Sequence, residues 1–410
     1  MNKLEFRMDS PHAAGGLIAA SSLPLPIQAR PRIDSIDLLR GIVMVLMALD
    51  HTRDFFAGSA FNPRDVTEPA LFLTRWITHF CAPVFIFLAG TSAYLYGARG
   101  KSQNEVSRFL FTRGLWLVFL EFTVVRLAWT FSVFPDMLLM QVIWAIGVSM
   151  IVLAGLVYFP NWAIGGFAII MLAGHNLLDQ IKAEQFGAAA WVWNVLHEPA
   201  LLQLTPEVTA FALYPLIPWI GVMATGYVFG PVMQFESARR RRWLIALGAV
   251  AILGFFVLRA TNVYGDPAPW STQDVVMATI LSFVNNEKYP PSALYLAMTL
   301  GPAIIALAAL EMAGGRLAKF FVIFGRVPLV YYVAHIVLIH TLAVILAVVT
   351  FGDASWLFGG LSIQAKPAGY GVGLAGVYGV WLLVVAALYL PCRWFAGVKQ
   401  RRDDWWLSYL

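Results

Sequence analysis

Charged residues are scarce in this 410-residue chain: they make up 12% of it, whereas hydrophobic residues make up 60%. A soluble domain usually carries about 25% charged residues. This scarcity excludes an ordinary soluble globular protein and predicts a polytopic membrane protein. The net charge of +5 does not indicate a nucleic-acid partner, because the basic residues are spread over separate loops rather than gathered on one face.

Cysteine is nearly absent, with Cys81 in an apolar stretch and Cys392 near the C-terminus. Two such residues exclude a disulfide framework and a cysteine zinc site. The sequence also has no Walker loop, no HExxH and no GxGxxG that follows a predicted strand. The sequence shows no repeat of fixed period, so nothing in it indicates an inverted-repeat transporter. Because no motif or cysteine pattern supplies metal ligands, we predict no metal site.

The apolar residues form ten stretches that predict an all-α helix bundle with about ten transmembrane helices. Residues 1–33 read as a flexible cytoplasmic tail, with a start near Met8 as an alternative, and residues 34–410 as the transmembrane domain. The predicted spans are 38–57, 78–97, 114–133, 138–158, 162–178, 209–230, 243–260, 291–312, 328–350 and 372–392.

The arginines and lysines are distributed unevenly between the two sides of this arrangement. With the N-terminus in the cytoplasm, the inside segments hold 19 of the 28 basic residues and the outside segments hold seven. Arg40 and Arg126 fall within spans. Since cytoplasmic loops carry the excess of Lys and Arg, both termini are predicted to be cytoplasmic. We expect a multi-pass protein of the cell inner membrane.

The first predicted span carries charges that apolar surroundings make costly. Asp37-Leu-Leu-Arg40-Gly41 is followed by nine residues and then His51. A charge at bilayer depth seldom occurs without a function. The eleven positions from Arg40 to His51 correspond to about 16 Å along a helix, so one end can hold an anionic group while the other presents an imidazole.

Carboxylates flank His51 on the predicted helix. Asp50 precedes it, and Asp54 follows on the same face close to one turn later. A carboxylate beside an imidazole fixes its tautomer and raises its basicity, which favours a general base supported by Asp50 or Asp54. His79, at the start of the second span, is expected on the same side as His51 and is an alternative catalytic residue.

Two further segments supply candidate binding residues. In the ninth span, Tyr331 and His335 are one turn apart on a common face, which indicates a lined cavity within the membrane. Before the eighth span, Asn285, Lys288 and Tyr289 precede two prolines that would direct these side chains to the outer mouth. We interpret these three as substrate-binding residues.

Several motifs together resemble a known family. The run from Ser35 to His51 resembles the first-helix signature of integral-membrane acyltransferases, in which ten residues separate an arginine from a histidine. Over about residues 32–410 the chain resembles bacterial relatives of the lysosomal heparan-alpha-glucosaminide N-acetyltransferase. The segments that carry this resemblance are Pro83–Gly90, Tyr214–Gly221, Lys288–Ser292, Phe324–His335 and Asp403–Leu410.

The resemblance implies transfer of an acetyl group from cytoplasmic acetyl-CoA to an amino sugar or other glycan outside. It implies that Arg40 lies at the donor site and that His51 lies at the reaction centre. We predict Asp37, Tyr331 and His335 as further donor-binding residues. The lysosomal relative has an asparagine where His51 stands, and its histidine lies in the loop after the first helix. Here no histidine occurs between His51 and His79, so either one of these takes the role or acetyl transfer to a glucosamine does not carry over.

Other functions are compatible with charges inside a membrane. A transporter or flippase uses them as a proton relay, and a non-catalytic membrane subunit would tolerate their removal. For the enzyme, direct transfer and a covalent acyl-histidine both stay open. The expected partners are the lipid bilayer and a small-molecule or glycan acceptor, and the resemblance implies a homodimer.

Overall fold

The protein is described by a computed structural model over residues 34–58, 62–359, 366–402 and 404–409. Helices account for 73% of the structure and strands for 4%, which confirms a mostly helical protein. From Asp34 onward the chain forms one compact unit. The predicted cytoplasmic tail, residues 1–33, lies outside the described residues.

The described residues contain fifteen α-helices, and a π-helical turn, Glu121–Val125, makes α4 and α5 one continuous helix. The helices are α1 (Asp34–Phe56), α2 (Pro69–Thr78), α3 (Cys81–Gly97), α4 (Gln103–Leu120), α5 (Arg126–Thr130), α6 (Val142–Leu156), α7 (Asn161–Gly174), α8 (Ala190–Leu196), α9 (Leu216–Phe229), α10 (Ser237–Thr261), α11 (Val276–Val284), α12 (Ala293–Leu310), α13 (Gly315–Arg326), α14 (Pro328–Phe351) and α15 (Leu374–Arg401).

Local sequence explains where several helices begin and end. Ser102 and Glu105 form a reciprocal capping box at the start of α4, and the Ser292 side chain caps α12. Pro328 occupies the first turn of α14, where its missing N–H is not needed. Gly352, with φ 72°, ends that helix in the left-handed conformation.

Seven helical segments are long and apolar enough to cross a membrane, which supports a multi-pass membrane protein. Each of the ten predicted spans overlaps a helix. However, the predicted spans 38–57, 114–133 and 138–158 have no counterpart among the seven: α1 carries six charged side chains, 114–133 contains the charged Glu121 and Arg126, and α6 has 15 residues. The count of ten crossings stays a prediction. The seven segments are 69–97, 161–178, 216–234, 237–261, 293–310, 328–351 and 374–401.

A small three-stranded sheet lies between the helices in the order β1-β3-β2. It consists of β1 (Met137–Met140), β2 (Ala200–Gln203) and β3 (Thr209–Ala212), with β1 parallel and β2 antiparallel to β3. The predicted spans 138–158 and 209–230 are therefore wrong at their starts, since a strand comes first in each. Pro215 explains the second boundary, because the residue before a proline is disfavoured in a helix.

The first helix is the centre around which the others pack. Helix α1 contacts α2, α3, α12, α13, α14 and α15. It crosses α13 where Gly41 meets Gly325, and a Cβ on either residue would overlap backbone of the other helix, at Phe321 and Asp37 respectively. Small residues allow such close approach between membrane helices. This crossing holds Arg40 directly beside α13.

Replacing Gly41 with alanine is expected to destabilise the protein by about 1–3 kcal/mol, because the new methyl group forces α1 and α13 apart. Thermal unfolding in detergent, followed by circular dichroism, measures the change. Gly379→Ala is the matched control, since a Cβ there meets no atom within 4 Å and alanine favours the helix. Equal transition temperatures for the two variants would contradict the crossing.

Candidate active site

Helices α1 and α14 bring two buried histidines together. The Nδ1 atom of His51 lies 2.7 Å from Nε2 of His335, and the two rings are parallel to within 5°. Nδ1 of His335 in turn lies 2.7 Å from the carbonyl oxygen of Tyr331. His51 is 9% exposed and His335 is fully buried. The pair is thus a fixed arrangement enclosed by the protein.

The protonation of this pair follows from its partners. A carbonyl oxygen only accepts, so Nδ1 of a neutral His335 carries the proton and Nε2 carries the lone pair. His51 must then donate from Nδ1, which leaves Nε2 of His51 with a lone pair. Among the described residues, no protein group hydrogen-bonds to that nitrogen. His335 therefore holds His51 in the tautomer that a general base would need.

The predicted carboxylate support of His51 is wrong in its geometry. Asp50 accepts a hydrogen bond from Thr78 Oγ1 at 2.9 Å and pairs with Arg53 at 2.8 Å. Asp54 pairs with the same guanidinium at 2.8 Å. Arg53 competes for both carboxylates, because an arginine offers a fork of donors to neighbouring oxygens. Asp50 and Asp54 therefore act on His51 only through their nearby charge.

Two aromatic side chains flank the imidazole of His51. Trp129 meets it edge-on with ring centroids 4.8 Å apart, and Tyr332 does so at 5.9 Å. Both are buried. Within the described part of the chain, neither the Trp129 indole N–H nor the Tyr332 hydroxyl makes a hydrogen bond of normal geometry. Buried donors without an acceptor are rare, and they often mark a functional site.

Arg40 lies near the other end of α1 in a polar contact between three helices. Its guanidinium donates to Ser92 Oγ on α3 at 2.9 Å, to Asp37 at 3.3 Å and to the carbonyl of Gly325 on α13 at 3.4 Å. Arg326 approaches the same Asp37 carboxylate at 3.9 Å. Two arginines therefore converge on Asp37, and Arg40 lies about 16 Å from His51 by helix rise.

Tyr331 and His335 do share a helix face, with ring centroids 5.1 Å apart. The Tyr331 ring also packs edge-on against Phe324 at 4.8 Å. Both residues were predicted at the donor site. The structure instead places His335 beside His51, while the buried Tyr331 contributes its carbonyl to the pair.

Of the predicted acceptor residues, Lys288 lies close to Asp50. Lys288 Nζ is 3.8 Å from its carboxylate and 5.1 Å from the centre of the Tyr289 ring. Tyr289 packs edge-on against Tyr214 at 5.4 Å. Asn285 uses its backbone carbonyl to accept from Arg259, while its Oδ1 is buried without a partner in the described structure. Lys288 and Tyr289 are thus brought together with α1.

His79 occupies the same region but does not contact His51. It is 2% exposed, and its ring lies 5.3 Å from that of Tyr295, whose hydroxyl donates to the His79 carbonyl at 2.7 Å. Neither ring nitrogen has a partner among the described residues. No group therefore fixes its tautomer, which makes His79 a weaker candidate base than His51.

A distant lysine caps the end of α1 that carries His51. Lys366 Nζ donates to the carbonyls of Asp54 at 2.6 Å and Ala57 at 2.8 Å. Tyr370 donates to Phe55 O at 3.1 Å. Cations favour the C-terminal end of a helix. Burial lowers the pKa of Lys366, while the Asp54 carboxylate opposes this shift.

Sequence reasoning missed several of these residues. Arg53 was recognisable, since it lies three positions after Asp50 on the same helix and binds it. The position of Trp129, Tyr332 and Lys366 beside α1 could not be predicted, because nothing in the linear sequence indicates which residues of other segments contact this helix.

No metal centre is evident in the parts of the chain that the structure describes: no three His, Cys, Asp or Glu side chains there are arranged to hold an ion. The fold and site together define a multi-pass membrane protein with a buried histidine pair on a charged central helix.

The family of this membrane protein follows from comparison with known proteins. The model of the heparan-alpha-glucosaminide N-acetyltransferase catalytic family matches residues 32–264. This match covers more than half of the chain, and the protein belongs to that family. It includes Arg40, His51 and His79, whereas Lys288 and His335 lie beyond its end. A search of curated proteins finds no match.

Proposed function

We propose that the protein transfers an acetyl group from acetyl-CoA on the cytoplasmic side to an amine or hydroxyl of a glycan on the other side. The observation that carries this proposal is the hydrogen-bonded pair of His51 and His335, within a family of acetyltransferases. An imidazole with a free Nε2 lone pair, fixed by its other nitrogen, is the group that proton abstraction from an acceptor needs.

In this mechanism, Nε2 of His51 removes a proton from the acceptor amine or hydroxyl as that group attacks the thioester carbonyl. The new bond to carbon forms a tetrahedral intermediate, and the carbon–sulfur bond then breaks. His51 returns the proton to the departing sulfur, which leaves as the CoA thiol. Atoms and charges balance, and no covalent acyl-histidine is required. His335 accepts from Nδ1–H of His51 throughout, so the proton enters and leaves the ring only at Nε2.

Tyr332 and Trp129 are suited to stabilise the negative charge that develops on the carbonyl oxygen. The Tyr332 hydroxyl is a buried donor next to His51 without an acceptor in the described structure, and the Trp129 indole N–H interacts with that hydroxyl. Donors aimed at a developing oxyanion in a water-excluded site usually supply a large part of catalysis. We therefore assign the oxyanion position to the space between His51 and these two side chains.

His335 acts as the positioning residue for His51. Replacement by glutamine keeps an acceptor for His51 Nδ1 and a donor for the Tyr331 carbonyl, whereas leucine keeps neither. We expect His335→Leu to lower the transfer rate roughly 10–100-fold, as loss of an orienting partner does elsewhere, and His335→Gln to retain most of it. Equal rates in steady-state assays of the two variants would contradict this role.

The same proposal includes the arrangement in the membrane. Ten crossings with both termini in the cytoplasm put Arg40 near the cytoplasmic surface and Lys288 near the opposite one, in agreement with the distribution of basic residues. The location is the inner membrane. The acceptor is an amino sugar or another glycan, and the protein works as a homodimer in a lipid bilayer.

Arg40, with Asp37 beside it, is proposed to hold the donor phosphates. Arg40→Ala should weaken acetyl-CoA binding roughly 10–150-fold, the loss expected for a charged hydrogen bond. Isothermal titration calorimetry on detergent-solubilised protein measures this. Arg242→Ala is the matched control, because Arg242 is an exposed arginine at the start of α10. Undetectable binding to the wild type, or equal losses in both variants, would contradict the donor site.

A further inference from the structure

Three cations surround one partly exposed carboxylate near the outer end of α1. Asp50 pairs with Arg53 at 2.8 Å and with Lys288 at 3.8 Å, and Arg75 on α2 is close enough to act on it electrostatically. We call Arg53, Arg75, His79 and Lys288 the outer cluster. Arg53, Arg75 and Lys288 carry three positive charges, and the neighbouring Asp50 and Asp54 carry two negative ones. The outer cluster and these two carboxylates together therefore have one positive charge in excess.

Arg75 is the cation that no carboxylate neutralises. Its side chain is half-buried, and it makes no ion pair or hydrogen bond with any residue that the structure describes. Its other cationic neighbour, Arg64, is already paired with Glu287 at 2.5 Å. A partly buried arginine without a partner is costly. Its planar fork of donors matches a carboxylate, sulfate or phosphate.

His79 adds a second unpartnered group at the same place. It lies four residues after Arg75, at the end of the same helix, so both side chains share a face. Both of its ring nitrogens are buried, and neither is hydrogen-bonded in the described regions. Lys288 is close enough to act electrostatically on both His79 and His51. Thr78, next to His79, donates to Asp50 at 2.9 Å, and Lys288 lies 3.8 Å from the same carboxylate, so the end of α2 and Lys288 meet at Asp50.

We propose that Arg75, His79 and Lys288 form an oxyanion-binding subsite, and that the acceptor carries an acidic group beside the amine or hydroxyl that is acetylated. This inference rests on the proposed function. Arg75 supplies the excess positive charge, His79 supplies a ring N–H donor, and Lys288 links the subsite to His51. A lipid headgroup phosphate has the same chemistry, so the test must separate the two sources.

The test uses the full chain in neutral detergent without acetyl-CoA, and calorimetry measures the binding of inorganic phosphate, glucosamine and glucosamine 6-phosphate at constant ionic strength. We expect the phosphorylated sugar to bind at least about tenfold more tightly than glucosamine, since a charged hydrogen bond is gained. Arg75→Gln should remove this difference and weaken phosphate binding, whereas Arg75→Lys should retain part of both. Lys182→Gln, which removes an exposed loop lysine, should change neither.

A second arm repeats the sugar titrations in nanodiscs with and without phosphatidylglycerol. An unchanged preference for the phosphorylated sugar supports an acceptor subsite. Loss of the preference in phosphatidylglycerol assigns Arg75 to a lipid, and equal binding of both sugars in detergent gives Arg75 no role in acceptor binding. Either result overturns the inference. If sugar binding depends on Arg75 but no acetyl group is transferred, the subsite is supported and the proposed function is refuted. If acetyl transfer occurs without any preference for an acidic acceptor, the proposed function is supported and the subsite is refuted.

Discussion

Replacing His51 with alanine is expected to lower the rate of acetyl transfer roughly 10²–10⁴-fold, the range that a positioned general base contributes. The variant loses Nε2 of His51. The hydrogen bond to His335 leaves this nitrogen with the lone pair that accepts the acceptor proton. Acetyl-CoA binding should change little, because the donor phosphates are assigned to Arg40 about 16 Å away along the helix. Single-turnover transfer from labelled acetyl-CoA, with donor binding measured in parallel, checks both parts.

Two other histidines make this experiment specific. His340→Gln removes a buried histidine from the same helix as His335, where it contacts the carbonyls of Ala128 and Leu357. The folded fraction should fall, while the rate per folded molecule should stay near that of the wild type. His79→Ala should act on the acceptor KM. A loss of kcat in His79→Ala with full kcat in His51→Ala would exchange their roles.

Removing the hydroxyl of Tyr332 is expected to lower kcat roughly 10²–10³-fold, as loss of one oxyanion donor does in acyl transfer. Tyr332→Phe keeps the ring that packs edge-on against His51 and leaves no cavity, so stability should change little. Because the hydroxyl acts on charge that develops in the transition state, the acceptor KM should also stay near its normal value.

Tyr331→Phe is the matched control for this variant. The Tyr331 hydroxyl is likewise buried without a partner in the described structure, but its ring packs against Phe324 and His335 and is not one of the described rings that contact His51. Its removal should leave kcat within a fewfold of the wild type. A kcat for Tyr332→Phe equal to that of Tyr331→Phe would exclude Tyr332 as the oxyanion donor.

Much of the helical architecture was predictable because long apolar stretches have few alternatives in a membrane. The charged residues of α1 were also recognisable, since Arg40 and His51 are conspicuous in such a stretch. Short-range geometry gave the shared face of Tyr331 and His335. The strand at Thr209–Ala212 was missed, because a short, mostly apolar segment matches the start of a span as well as a strand.

The partner of His51 was beyond sequence reasoning for a different reason. Helical spacing identifies neighbours on one helix, and it therefore pointed to Asp54. It cannot identify His335, which is 284 residues away. The crossing of α1 and α13 at Gly41 and Gly325, the position of α14 and the Lys366 cap arise only from tertiary packing.

The most direct test of the account uses sealed proteoliposomes. Labelled acetyl-CoA is placed on the side that Arg40 faces, and glucosamine 6-phosphate is trapped on the other side, with His51→Ala vesicles as the control. We expect labelled acetyl on the trapped sugar, with CoA retained on its original side. The rate of acetylation should be at least about 10²-fold lower in the His51→Ala vesicles. Passage of the CoA or of the sugar across the membrane without acetylation would contradict it and indicate a transporter.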